Sequence, residues 1–123
     1  MSKVRAKDTG PELRVRSALH SLGYRFRLHR GDLPGRPDIV LPKHGLCIFV
    51  HGCFWHRHIG CKRATVPVNN ATLWQNKFAR TIERDDEAIR LLRQLQWRVA
   101  VVWECETKEA KILDQFIRKH IDA

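Results

Sequence analysis

Two apolar segments joined by a short connection constrain the fold of this chain more than any other feature. Residues 37–41 (PDIVL) and 46–50 (LCIFV) are rich in β-branched and apolar side chains. The four residues between them, 42–45 (PKHG), have the composition of a tight turn. The pattern therefore predicts an antiparallel β-hairpin.

The register of this hairpin predicts which side chains lie together. If Leu41 pairs with Leu46, Asp38 lies across from Phe49. Alternation along the second strand then puts Phe49 and His51 on one face. We therefore expect Asp38 and His51 to lie near each other.

The other elements are predicted from helical periodicity, strand-like alternation and breaker residues. They are a first helix that starts near Pro11 and ends at Gly23, a short strand over Tyr24–Leu28, a loop over 31–37, a long helix over Thr72–Leu95, a strand over Trp97–Trp103 and a last helix over Lys108–His120. This order predicts an α/β fold, with a mixed central β-sheet and helices on both faces.

The apolar positions of each helix predict the side that it buries. The expected inward residues are Val15, Ala18, Leu19 and Leu22 in the first helix, Phe78, Ile82, Ile89 and Leu92 in the long helix, and Ile112, Phe116 and Ile117 in the last. The segment 97–103 (WRVAVVW) is almost continuously apolar, which is typical of a strand covered on both faces.

Size and charge limit the class of protein. The 123 residues fit a single domain, 1–123, and 23 lysines and arginines against 13 acidic residues give a net charge of +10. An anionic partner, above all a nucleic acid, is expected; the alternative is a basic protein without a specific partner. No apolar run approaches the about 20 residues of a membrane span, so no membrane partner and a cytoplasmic location are expected.

The segment from His51 to Cys61, HGCFWHRHIGC, has the residue types of a zinc site. Four thiolate or imidazole ligands suit tetrahedral Zn²⁺, and the candidates are Cys53, Cys61, the remote Cys105 and either His56 or His58. Spacing alone leaves the choice of histidine open. The alternative is that these are reduced thiols and surface histidines. Cys47, inside an apolar strand, is expected to be a buried small hydrophobic residue.

A second candidate site centres on Asp38, an acid at the start of a strand. A divalent cation such as Mg²⁺ would compensate its charge, and His51 or His56 nearby could transfer protons during phosphodiester hydrolysis. The simpler interpretation of Asp38 is a turn-capping acid. Glu12 likewise fits a first-turn helix acid paired with Arg16, and would be functional only if the fold brings it close to Asp38.

Several aromatic and basic residues are candidates for nucleic-acid contact. Phe54 and Trp55 either pack beneath the metal site as a miniature core or project outward as a wedge between base pairs. The same two interpretations apply to Trp74, at the start of the long helix. Lys77, Arg80 and Arg84 fall on another face of that helix from its apolar residues.

Taken together, four segments resemble the very-short-patch (Vsr-type) mismatch-repair endonucleases. These segments are LPGRPDIV, FVHGCFWHRH, the ERD of the long helix and WRVAVVWEC, and they occur in the family's order over nearly the whole chain. The resemblance implies the restriction-endonuclease-like fold of the PD-(D/E)xK nucleases. It further implies an enzyme that nicks double-stranded DNA on the 5′ side of the thymine of a T:G mismatch, with possible repair-protein partners. One compact domain with one site favours a monomer.

The resemblance also assigns a catalytic role to each matching residue. Asp38 would be the central Mg²⁺ ligand, with the backbone carbonyl of Val50 as a further contact. His51 and His56 would be the catalytic histidines, and Glu12 would support the hydration shell of the metal. Family members often have Thr at the position of Val50, but a backbone carbonyl does not depend on the side chain.

The family's structural zinc site maps onto Cys53, His58, Cys61 and Cys105, and this selects His58 over His56. Phe54 and Trp55 would be the intercalating pair. Two other functions remain compatible with the sequence: a zinc-stabilised DNA-binding module without turnover, and a nuclease of the same superfamily with another lesion preference.

Overall fold

A computed structural model describes residues 10–53 and 69–121 of the chain. Its elements are α1 (Gly10–Ser21), β1 (Arg27–Leu28), β2 (Ile39–Leu41), β3 (Leu46–His51), α2 (Ala71–Gln94), β4 (Arg98–Trp103) and α3 (Ala110–Ile121). Short 3₁₀ turns follow β2 and β4. The predicted order of elements is confirmed, although β1 is shorter than the predicted Tyr24–Leu28.

The strands of the described residues form one open, mixed sheet in the order β1-β2-β3-β4. β2 is antiparallel to β1 and to β3, whereas β3 and β4 are parallel. Leu41 pairs with Leu46, which confirms the predicted hairpin register. Its connection is a 3₁₀ turn over Pro42–His44, and Gly45 closes it in the left-handed region at φ 60°, where a glycine lacks the steric penalty of a Cβ.

Helices cover both faces of this sheet, as predicted. On one face, α1 and α3 pack against a core that includes Val15, Leu19, Ile48, Val102 and Ile117. On the other face, α2 packs through Ala88 and Leu92 onto Val40, Cys47 and Phe49. The mixed α/β architecture is therefore present. None of the helices in the described ranges is long and apolar enough to cross a membrane.

Three predicted inward residues are in fact exposed: Leu22, Ile82 and Ile112, at 42%, 39% and 37%. Leu22 follows the last residue of α1, so it no longer shares the helix's inward stripe. In α2 the buried stripe runs through Phe78, Ala88 and Leu92 instead of Ile82. In α3 the neighbouring Leu113 takes the inward position expected for Ile112.

The loop between β1 and β2 lies very close to α2. Gly35 has φ 73°, and a Cβ on it would lie 2.5 Å from the Cβ of Ala88. Such a contact is too short for any side chain, so this position requires glycine. The close approach helps to hold the start of β2, where Asp38 lies, against the sheet.

Candidate active site

Three side chains from different elements converge at one end of the hairpin. Glu12 lies in the first turn of α1, His29 directly follows β1, and Asp38 directly precedes β2. One ligand atom from each lies within 4.8 Å of the other two. We call Glu12, His29 and Asp38 the carboxylate–histidine cluster. Glu12 and Asp38 are 26 positions apart in the sequence but lie together in the fold. This proximity is the condition for a functional role of Glu12.

Glu12 is almost completely buried, with 2% exposure. Its Oε2 atom accepts from Arg16 one helical turn away, so the expected ion pair is present. The same oxygen lies 2.8 Å from Nε2 of His29. Burial of a carboxylate is costly unless its charge is compensated, and both contacts supply compensation.

Asp38 is fixed by the backbone of β3. The N–H of Val50 donates to Oδ2 of Asp38 at 2.7 Å. Burial is the main cause that raises the pKa of Asp38 to about 7; the charge and hydrogen bonding of Glu12 act in the same direction, whereas Val50 N–H and Arg16 oppose it. A second negative charge close to Glu12 is therefore electrostatically unfavourable. A bound cation would reduce this repulsion.

His51 lies next along β3 and has different neighbours. Its ring is 5.9 Å from that of Phe49 and 5.3 Å from that of Trp103, so the predicted shared face of Phe49 and His51 is confirmed. Its Nε2 lies 3.9 Å from Oδ2 of Asp85 on α2. His51 is 6% exposed. His51 is not part of the carboxylate–histidine cluster found among the described residues.

Only part of the predicted zinc site falls in the described ranges. Cys53 is buried just beyond β3, and its N–H donates to Oε1 of Glu104 at 3.4 Å. Cys105 is half-buried in the turn after β4. The candidates that lie outside the described residues are Phe54, Trp55, His56, His58 and Cys61. Cys47 is fully buried in β3, as expected, and burial raises its thiol pKa to about 11.

The start of α2 carries the remaining candidates. Lys77, Arg80 and Arg84 are exposed, in line with a basic face separate from the buried one. Trp74 is half-buried; its ring stacks on Phe78 at 6.0 Å, and Nζ of Lys77 lies 5.1 Å from the ring centroid. Trp74 therefore takes part in packing along its own helix and also borders the basic face.

Comparison with known proteins identifies the family. The model of the family described as DNA mismatch endonuclease Vsr matches residues 1–63, and a type II nicking enzyme of Xanthomonas oryzae pv. oryzae is 49% identical over 99% of this chain and 89% of its own length. The chain belongs to the Vsr family. The DNA mismatch endonuclease Vsr of Escherichia coli is 37% identical over 99% of this chain and 78% of its own length. A type II nicking enzyme of Neisseria meningitidis is 38% identical over 100% and 90%.

Sequence reasoning did not single out two residues of this candidate site. His29 lies at the edge of the predicted breaker-rich loop, but its N–H donates to the carbonyl of Asp38 at 3.2 Å, which extends the β1–β2 pairing by one step. Pairing the predicted strand over 24–28 with the hairpin would have found it. Asp85 belongs to the ERD segment, and helical spacing puts it between Ile82 and Ile89 on the predicted inward stripe, which could have indicated a partner for a sheet residue.

Proposed function

We propose that this Vsr-family chain is a DNA endonuclease that nicks one strand on the 5′ side of the thymine in a T:G mismatch, by Mg²⁺-dependent hydrolysis. The observation that carries the proposal is the convergence of Glu12 and Asp38 next to β3. It agrees with the activity of the Escherichia coli relative, a DNA mismatch endonuclease. The relatives named as nicking enzymes support cleavage of a single strand.

The donor set fits Mg²⁺. Carboxylate oxygens are hard ligands of the kind that Mg²⁺ prefers. Two carboxylates in one partly buried site repel each other, and a bound cation offsets this repulsion. Asp38 and the carbonyl of Val50 would hold the ion, and Glu12 would support its hydration. When bound, Mg²⁺ supplies positive charge that offsets the charge developing on the phosphate oxygens.

The next residue along β3, His51, would transfer protons. His51 is packed against Trp103 and lies near the carboxylate of Asp85. A carboxylate close to an imidazole orients the ring and stabilises its protonated form, as a general acid–base group requires. The resemblance gives His56 a second proton-transfer role.

DNA would approach over the α2 side. The net charge of +10 favours a polyanion, and Lys77, Arg80 and Arg84 are exposed along α2. Phe54 and Trp55 would separate the base pairs beside the mismatch, with Trp74 at the border of this surface.

Structural Zn²⁺ would hold the segment that follows β3. The parallel register pairs His51 with Trp103, and Cys53 and Cys105 each follow two residues later. Both cysteines therefore come just after the same end of the β3–β4 pair. The contact between Cys53 N–H and Glu104 supports this convergence. With His58 and Cys61, the set has the four ligands of a closed site. Elemental analysis should then find one zinc per chain, and Cys105→Ser should lose it.

The remaining parts of the proposal concern architecture and assembly. The mixed sheet with helices on both faces agrees with a restriction-endonuclease-like fold. Residues 1–123 would act as one domain and one monomer, because the chain has the size of a single domain with one site.

The decisive test of substrate is a nicking assay on a panel of end-labelled duplexes that contain T:G, other mismatches or full pairing, with Mg²⁺ present. We expect one nick, 5′ to the mismatched thymine, and little cleavage of the paired control. Equal cutting of paired and mismatched duplexes would instead indicate another lesion preference. Binding without a strand break under any divalent cation would favour the DNA-binding module.

A further inference from the structure

We propose that His29 is a direct ligand of the divalent cation held by Asp38 and Glu12, so that the site binds Mn²⁺ and similar transition-metal ions more tightly than Mg²⁺. This inference deepens the proposed function and rests on its cation site. It adds a nitrogen ligand to a set otherwise composed of oxygens.

The first support is the spacing of the donor atoms. Nε2 of His29 lies 2.8 Å from Oε2 of Glu12, and the donor atoms of Glu12, His29 and Asp38 all lie within 4.8 Å of one another. Adjacent ligands of an octahedral cation, with bonds of about 2.1 Å, are about 3 Å apart. The Glu12–His29 separation is therefore that of adjacent ligands of one small cation, and Asp38 lies beside this pair.

The second support is that both carboxylates are already oriented by other groups. Arg16 binds Oε2 of Glu12, and Val50 N–H binds Oδ2 of Asp38. His29 is therefore not required as the sole group that positions either acid. With both acids ionised, their two negative charges exceed the one positive charge of Arg16, so the cluster still attracts a cation.

The third support is the backbone of His29. This residue has φ 48°, in the left-handed region that side chains other than glycine rarely adopt. Such a conformation is unfavourable for a residue with a side chain and persists where the surroundings fix it, often at functional sites. Here the N–H of His29 donates to the carbonyl of Asp38, so the strained residue is fixed directly to the proposed metal ligand.

The position of His29 also permits entry of an ion. Its side chain is 24% exposed, whereas that of Glu12 is 3% exposed. The cluster therefore opens towards solvent on the side of the imidazole. Imidazole is a good ligand for Mn²⁺, Co²⁺ and Zn²⁺ but contributes little to Mg²⁺, which prefers oxygen.

The test compares cation binding by the full-length parent protein and by His29→Gln, without DNA and without reference to nicking. Glutamine keeps a polar group that can donate to Glu12 but removes the imidazole ligand. His29→Asn is the second variant, because asparagine tolerates the left-handed backbone and guards against a folding defect. His20→Gln, on the exposed last turn of α1, is the matched control.

Two readouts are needed: calorimetric affinities for Mn²⁺ and Mg²⁺, and pulsed electron paramagnetic resonance of bound Mn²⁺. We expect a directly bound nitrogen in the parent and in His20→Gln, and its loss in both His29 variants. Mn²⁺ affinity should fall by at least about tenfold, the loss seen even for groups that only support metal ligands. Mg²⁺ affinity should fall less.

Other results would overturn the inference. A parent spectrum without a bound nitrogen, or a nitrogen signal and Mn²⁺ affinity that survive in both His29 variants, removes His29 from the ligand set. Failure of the parent to bind Mn²⁺ contradicts the cation site as a whole. A parent that binds Mn²⁺ through His29 but nicks no duplex refutes the nuclease and leaves the ligand assignment standing, so the two failures are distinguishable.

Discussion

Consecutive residues of β3 serve two different chemical environments. Val50 donates its N–H to Asp38 beside Glu12 and His29, in a setting of carboxylates held by α1 and the β1–β2 end. His51 instead lies among aromatic rings and near Asp85, on the side of α2. The first region has carboxylates of the kind that bind cations, and the second has an imidazole of the kind that transfers protons. In the proposed mechanism, neighbouring residues of β3 connect these two tasks.

This comparison explains why neither region is complete alone. Hydrolysis of a phosphodiester needs charge neutralisation and proton transfer at the same phosphate. Because Val50 holds Asp38 through its backbone N–H and His51 is the next residue, both groups can act on one phosphate at the end of β3. We therefore expect variants near His51 to impair the nicking rate and variants near Asp38 to impair cation binding.

A large effect on the nicking rate is expected from the region around His51. His51→Gln should lower the nicking rate by about 10²–10⁴-fold, the usual contribution of a general acid–base group, with cation affinity unchanged. Asp85→Asn should lower kcat less and shift the pH–rate profile, because Asp85 acts through the ring. Single-turnover rates across pH measure both, with His20→Gln as control. Loss of cation affinity in His51→Gln would break the proposed division.

A smaller effect concerns stability on the carboxylate side. The folded-state pKa of Asp38 is about 7, above its usual 3.8, so without Mg²⁺ the folded state binds more protons than the unfolded state between these values. The free energy of unfolding should therefore fall as pH rises through this window. Asp38→Asn should remove that slope and raise the free energy of unfolding at pH 8 by on the order of 2 kcal/mol.

Urea unfolding at several pH values in buffer without Mg²⁺ measures this effect, with the exposed Asp86→Asn as control. Added Mg²⁺ should flatten the pH dependence of the parent, because a cation favours the ionised carboxylate. If Asp38→Asn is less stable than the parent at pH 8, the ionised carboxylate stabilises the fold and our electrostatic account of the cluster is wrong.

The smallest effect is expected on the surface of α2. Changing Lys77, Arg80 and Arg84 together to Ala should weaken DNA binding and reduce the slope of log affinity against log salt by about 3, one unit for each phosphate that is no longer neutralised. Fluorescence anisotropy over a salt series measures the slope. The control changes three exposed lysines outside α2, Lys108, Lys111 and Lys119, to Ala. Equal weakening of DNA binding in the two triple variants would mean that the α2 residues contribute only through the net positive charge of the protein.

The sequence predicted the hairpin and its register because apolar runs and a short turn leave few alternatives. It predicted the buried stripes less well: Ile82 is exposed where Ala88 lies against the sheet. Periodicity marks apolar residues, whereas the observed stripe depends on how closely a helix approaches its neighbours. The close contact that Gly35 permits with Ala88 is a tertiary feature of that kind.

The candidate site was predictable where residues are near in sequence or register, as for Phe49 and His51. A functional role for Glu12 could not be predicted without the fold. Its pairing with Arg16 in the first turn of a helix already explains an acid at this position. His29 and Asp85 were missed because each depends on an encounter between elements: the end of β1 with β2, and α2 with β3. Short-range patterns carry no signal for such contacts.

The central claim is that Asp38 carries the cation-dependent chemistry of a nicking enzyme. The most direct measurement is nicking of a labelled T:G duplex in Mg²⁺ by Asp38→Ala, with duplex affinity measured on the same preparation. We predict that nicking falls to background while duplex affinity stays close to that of the parent. Nicking at the parental rate would contradict the account, because the carboxylate beside β3 would then have no part in the reaction.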